Sequence, residues 1–178
     1  MNTVDCIKSR RSVRKFTEQK VPHEVLEELV ELARWAPSWK NTQIARYVAI
    51  EDEALKNRIA EEATIPWNEG IIKGAPVLMV MTYVEKRSGF ERDGSFSTKK
   101  EDRWEMFDAG IACQTLCLAA WAEGLGTCIM GIYDEEQVPA LLEVPEDQYV
   151  TAIVSLGYPA EQPKAPKRKP LDEKVRYV

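Results

Sequence analysis

The segment Met106 to Ala122 constrains this chain most, because only Asp108, Gln114 and Thr115 in it are polar. A helix of that composition has no face to give to water, so it must lie at the centre of the fold or in a seam between subunits. Other elements, or a second copy, must cover it on nearly every side. The length of 178 residues predicts a single domain spanning 1–178. Such a chain buries roughly 70% of its unfolded surface and needs neither a disulfide nor a metal to fold.

The rest of the pattern supplies the covering elements. Val4 to Ser9 reads as a short helix that runs into the basic stretch Arg10-Arg11-Ser12-Val13-Arg14-Lys15-Phe16. Pro22 opens a second helix, with Val25, Leu26, Leu29, Leu32, Ala33 and Ala36 at helical spacing, and Pro37 stops it. Ser38 to Gln43 is a polar loop, Tyr47 to Ile50 a strand and Glu53 to Glu62 a surface helix. The unbroken apolar run Val77 to Met81 predicts a strand covered on both faces. Val84 to Arg103 is hydrophilic and reads as a long loop, of the kind that is functional or mobile. Thr127 to Gly131 forms a strand edge, Asp134 to Leu142 a helix and Val150 to Leu156 a buried strand. Beyond Gly157 four prolines predict an extended tail. Helices dominate and strands alternate with them irregularly, so the fold class is α+β. No glycine-rich turn joins a first strand to a helix, which excludes a doubly wound dinucleotide fold.

Several function classes fall away. Twenty-four Lys and Arg against 29 Asp and Glu leave a net charge of −5, without the single-sign field of a dedicated nucleic-acid binder. The longest apolar stretch, Ala75 to Met81, is far too short to span a bilayer, and the first residues lack the apolar core of a signal peptide. Cys6, Cys113, Cys117 and Cys128 form no CxxC pair, and the sole histidine, His23, reads as a first-turn surface residue. Cys113 and Cys117 sit four apart on a helix without further ligands and read as buried thiols. The expectation is a cytoplasmic, metal-free protein with no membrane or nucleic-acid partner.

Three segments carry chemistry. In Arg10-Arg11-Ser12-Val13-Arg14, guanidinium forks match phosphate oxygens and the hydroxyl adds a neutral donor. If the segment is extended, Arg10, Ser12 and Arg14 share one face; a solvated basic turn is the plainer alternative. Pro37 to Gln43 gathers hydroxyl, amide and indole groups that hydrogen-bond to and stack on planar heterocycles. A helix stop followed by turn residues explains Pro37 and Ser38 as well, but not Trp39. Gly124 to Gly131 either lets backbone approach a ligand or lets a helix end pack tightly on a strand.

In this order, these pieces resemble the nitroreductase family of FMN-dependent oxidoreductases. The likeness is carried by Arg10-Arg11-Ser12-x-Arg14-x-Phe16, Ala36-Pro37-Ser38-x-x-Asn41-x-Gln43 and Ala75-Pro76 before a buried strand. It continues through Asp108-x-Gly110-x-Ala112, Leu118-Ala119-Ala120, Gly124-Leu125-Gly126-Thr127-Cys128, Gly157-Tyr158-Pro159 and a basic residue before Pro170. The resemblance implies a mixed, mostly antiparallel sheet flanked by helices, and an interlocked homodimer with FMN at its interface. It implies that Arg10 and Ser12, with Arg11 beside them, hold the phosphate, and that Arg14 faces the pyrimidine edge of the flavin. Pro37, Ser38, Trp39, Asn41 and Gln43 would come from the other subunit, Ile129, Met130 and Gly131 would line the flavin, and Arg168 would return to the phosphate. Many relatives have proline after the position of Gln43, where Ile44 stands here, and smaller residues at Trp39 and Lys40.

The implied activity is ping-pong. NADH or NADPH gives hydride to the flavin, and an electron-poor small molecule such as a nitroaromatic or quinone is then reduced. No side chain need act as a nucleophile. Reductive dehalogenation, flavin cleavage and flavin binding without turnover are the alternatives.

Overall fold

A computed structural model describes residues 1–178. The chain opens with α1 (Thr3–Ser9), whose first turn is capped by the Asn2 side chain accepting from the Asp5 N–H at 2.9 Å. Helix α2 (His23–Ala33) follows, then β1 (Ala45–Ile50), α3 (Glu53–Ala63), α4 (Pro66–Lys73) and β2 (Val77–Val84). The long α5 (Arg103–Ala122), β3 (Gly126–Met130), α6 (Gln137–Leu141) and β4 (Gln148–Gly157) complete the frame. The tail beyond Gly157 is irregular except for one short turn at Leu171–Glu173.

The four strands lie in the order β1-β2-β4-β3, and every neighbouring pair is antiparallel. The mixed character of the sheet is confined to one isolated parallel bridge, Ser12 to Thr127. A bulge between Met81 and Thr82 leaves Thr151 unpaired, and its hydroxyl donates to the Met81 carbonyl at 3.2 Å.

β2 explains its own unbroken apolar run. Val77, Met79 and Met81 face α2 and α5, where they pack with Leu26, Leu29 and Leu116. Leu78 and Val80 face the other way, into a second core with Ile59, Ile72 and Val138 from α3, α4 and α6. Both faces of a two-residue repeat are therefore buried. α5 buries Ala109, Ala112, Cys113, Leu116, Cys117, Ala119 and Ala120, while Met106 and Phe107 stay exposed.

Apart from shifts of one to three residues at other element ends, three features differ from the pattern. The second helix ends at Ala33 instead of Ala36, because Trp35 and Ala36 donate to Leu32 and Ala33 in tight turns before Pro37. The helix expected from Asp134 begins at Gln137, and the Asp134 carboxylate instead accepts the Glu136 and Gln137 N–H groups at 3.0 and 2.8 Å. Helix α4, opened by Pro66, has no counterpart in the sequence pattern.

Candidate functional site

The basic segment is laid across one end of the sheet. Val13 donates its N–H to the Thr127 carbonyl at 2.9 Å, Thr17 donates to Tyr158 at 2.9 Å, and Ala160 donates back to Lys15 at 2.9 Å. Two glycines that face each other in the β3–β4 register, Gly126 and Gly157, make the crossing possible. A Cβ on Gly126 would stand 2.6 Å from Val13, and one on Gly157 would collide with Pro76 and crowd Phe16. Tight packing therefore explains Gly126. At Gly124 and Gly131 a Cβ would meet nothing within 4 Å, and Gly131, at the end of β3, leaves its backbone open to a ligand.

The fold separates three arginines that look alike in sequence. Arg11 is committed: its guanidinium donates at 2.8 Å to the carbonyls of Lys8 and Arg10, satisfying the C-terminal end of α1. Arg14 is exposed, donates weakly to the Ser12 carbonyl at 3.4 Å, and is held through its backbone N–H by Glu161 at 2.9 Å. The half-buried Arg10 guanidinium and Ser12 hydroxyl make no hydrogen bond to the protein. The Arg10 charge reaches the α5 core: the Cys117 thiol is pulled below its ordinary value by Cys113 first, then by Thr127 and Arg10, against the opposing effect of burial. All four cysteines are free and buried.

The second segment is a strained turn. Lys40, Asn41 and Gln43 have φ of 43°, 56° and 52°, a region that L-residues other than Asn avoid. Ser38 closes the turn by accepting the Gln43 N–H at 2.9 Å, and Asp108 accepts the Trp39 N–H at 2.9 Å. The Trp39 ring lies on Trp104 with centroids 4.5 Å apart, while its buried indole N–H has no partner. Pro37, Asn41 and Gln43 are exposed. A cavity of about 110 Å³ behind the turn is lined by Pro37, Ser38, Gln43, Tyr47 and Asp108 among others. Burial, with the nearby Cys113, pushes the Tyr47 hydroxyl up to about 12, so it stays protonated there.

At the end of β3, Ile129 is exposed on the same face as Thr127, whereas the Met130 side chain is buried in the second core. Only the backbone of Met130 is free to meet a ligand. Asn68 of α4, set aside in the sequence because its spacing does not match a flavin-side asparagine of larger relatives, is buried and donates to the Ile132 carbonyl at 2.9 Å, fixing the chain just past Gly131. No periodic signal marks it, since α4 is short. Arg168 is exposed in the tail and makes no hydrogen bond or ion pair.

The long 85–102 loop is well anchored. Glu105 and Asp108, one turn apart on α5 and each 3% exposed, accept the Arg87 N–H at 2.9 Å and the Ser88 hydroxyl at 2.6 Å. Phe90 and Phe96 pack on one another within the loop, centroids 4.9 Å apart.

A family model described as the Nitroreductase family matches residues 7–70 and 64–158. The chain belongs to the nitroreductase family. It is 28% identical to an FMN reductase (NAD(P)H) of Bacillus subtilis, over 94% of this chain and 70% of that one. It is also 28% identical to an iodotyrosine deiodinase of Thermotoga neapolitana, over 97% of this chain and 96% of the other. Among solved structures, a nitroreductase family protein of Clostridium novyi NT superposes with a TM-score of 0.77 at 28% identity, covering 97% and 91% of the two chains. The α+β architecture with its antiparallel sheet is that of the family. No helix is long and apolar enough to cross a membrane.

Proposed function

We propose that this protein is an FMN-dependent oxidoreductase that takes hydride from NADH or NADPH and passes it to an electron-poor small molecule such as a nitroaromatic or quinone. The observation that carries the reading is the pair Arg10 and Ser12: half-buried donors, held rigidly on a segment seated over Gly126 and Gly157, with no partner in the protein. Unpaired donors on a fixed backbone are the chemistry a phosphate needs. When bound, FMN supplies the hydride acceptance and delivery that no side chain here performs.

The residues of the chain bind and orient. Arg10 and Ser12 hold the phosphate, and Arg11 acts indirectly by keeping the α1 terminus closed behind them. Arg14 would face the pyrimidine edge, where its positive charge would favour the reduced ring. The Gly131 N–H would donate to the flavin N5, with Ile129 and the Met130 backbone lining the ring. Pro37, Ser38, Trp39, Asn41 and Gln43 complete the pocket of a second copy, and Arg168 of the extended tail returns to the phosphate. A homodimer also gives Met106 and Phe107 of α5, 51% and 58% exposed, a surface to cover them. Four free, buried thiols fit a reducing cytoplasm.

A second reading, reductive dehalogenation, is favoured by the likeness to the deiodinase, which spans almost the whole of both chains. Anaerobic mixing of the purified yellow protein with NADH or NADPH, followed by separate nitroaromatic, quinone and iodoaromatic acceptors, decides between them. Bleaching by a nicotinamide and recovery of colour with the nitroaromatic or quinone is the expected result. Recovery with the iodoaromatic alone selects the second reading. A colourless protein, or one that no nicotinamide bleaches, overturns the proposal.

A further inference from the structure

Asp108 is a carboxylate buried to 3% exposure with no cation against it, an arrangement that is costly unless its oxygens are well satisfied. One oxygen, Oδ2, receives both of its donors: the Trp39 N–H at 2.9 Å and the Ser88 hydroxyl at 2.6 Å. Ser88 is itself fully buried and lies 2.6 Å from the Thr42 hydroxyl, so the contact returns to the same turn three residues on. A single acceptor on α5 thus gathers two segments far apart in sequence, the 38–43 turn and the 85–102 loop.

That turn needs a clasp. Three consecutive or near-consecutive side-chain-bearing residues in the left-handed region persist only where the surroundings over-determine them. Each further link between the two segments sits at the surface or rests on ring contacts. Lys40 pairs with Glu91 at 3.1 Å, both exposed, and Trp39 lies on Trp104, whose indole donates to Thr98 at 3.0 Å. The exposed ion pair is screened and weak. The buried bonds to Asp108 are charge-assisted and are the ones able to hold the strained backbone.

We propose that Asp108 is a positioning residue. Its carboxylate locks the Trp39 turn onto the 85–102 loop as one preformed wall, so that the ring-side contacts presented to a second copy's flavin are fixed before the flavin arrives. The inference rests on the assignment of that turn to the ring side of the site. It extends that assignment by naming the group, outside the turn, that sets its shape.

The test separates the clasp from the phosphate and from the flavin reading itself. In hydrogen exchange without added flavin, the Trp39 amide should be protected in the parent, open in Asp108→Ala and protected again in Asp108→Asn, whose amide oxygen keeps one acceptor for both donors. Ser88→Ala, which removes the second arm with its Thr42 contact and leaves the Trp39 bond, should open the turn less and serves if the alanine variant at 108 folds poorly. Binding titrations should then show FMN and riboflavin weakened by the same factor in Asp108→Ala, roughly tenfold for the loss of a charge-assisted bond, because the defect lies at the ring. Unchanged Trp39 exchange, equal opening of the β2 and β4 amides, or a loss confined to FMN would each overturn the clasp. A parent that takes up neither ligand overturns the flavin reading alone, and amide exchange still decides the role of Asp108.

Discussion

The Arg10–Thr17 segment and the Trp39 turn are held in opposite ways. The first is fixed by its backbone: three main-chain hydrogen bonds and two glycine seats place it, leaving the Arg10 and Ser12 side chains unspent. The second has a strained backbone, and its side chains and neighbours are consumed in holding it: Ser38 on Gln43, Asp108 on Trp39, Trp104 on the indole ring. A site for a charged group needs free donors on a rigid track, whereas a site for a flat apolar face needs shape, and shape here is set by side-chain networks. The two segments should therefore fail differently when cut.

The largest expected effect is on the track. Gly126→Ala drives a methyl into Val13 and should cost about 1–3 kcal/mol in urea unfolding, with Val13→Ala in the same chain recovering part of it. A neutral Gly126→Ala would mean that the segment is not seated there. Next come two serines that sharpen the contrast. Ser38→Ala should lower stability by about 0.5–1.5 kcal/mol through the lost Gln43 bond, while Ser12→Ala should leave unfolding unchanged and weaken FMN binding only. Equal stability losses at both positions would erase the distinction.

Smaller effects follow pH. Burial raises the Glu105 carboxyl above its ordinary value of 4.5. The folded state then keeps that proton to higher pH than the unfolded chain does, so stability falls as pH climbs from 4.5 through the raised value. Glu105→Gln should match the parent below pH 4.5 and exceed it at neutral pH in thermal unfolding. His23 gives the smallest effect, since both it and its partner Glu51, 2.7 Å away, are exposed. The Glu51 hydrogen bond raises the imidazole, so its contribution is complete below pH 6.5 and disappears as pH passes the raised value. His23→Gln should cost stability only on the acidic side, and a loss that persists in alkali would contradict the ion pair.

Much of the fold is legible because burial writes itself into composition. β2 and α5 are apolar on all sides in sequence and are covered on most sides in space. α4 escapes notice because its buried residues, Asn68, Ile71 and Ile72, make too short and too mixed a stripe to show a period. The site is legible as residue types and not as roles. Alternation sets Arg11 apart from Arg10 and Arg14 only if the segment is extended, and only the position of the α1 terminus shows that Arg11 is committed to backbone carbonyls. The link from Asp108 to Trp39 spans 69 residues, and no local pattern announces which acid will meet which turn.

The most direct trial of the account is a pair of calorimetric titrations, FMN and riboflavin, against the parent and Arg10→Ala. A phosphate held by Arg10 predicts that the variant loses roughly 1.5–3 kcal/mol toward FMN and nothing toward riboflavin. FMN affinity equal to that of the parent, or an equal loss toward both ligands, would contradict it.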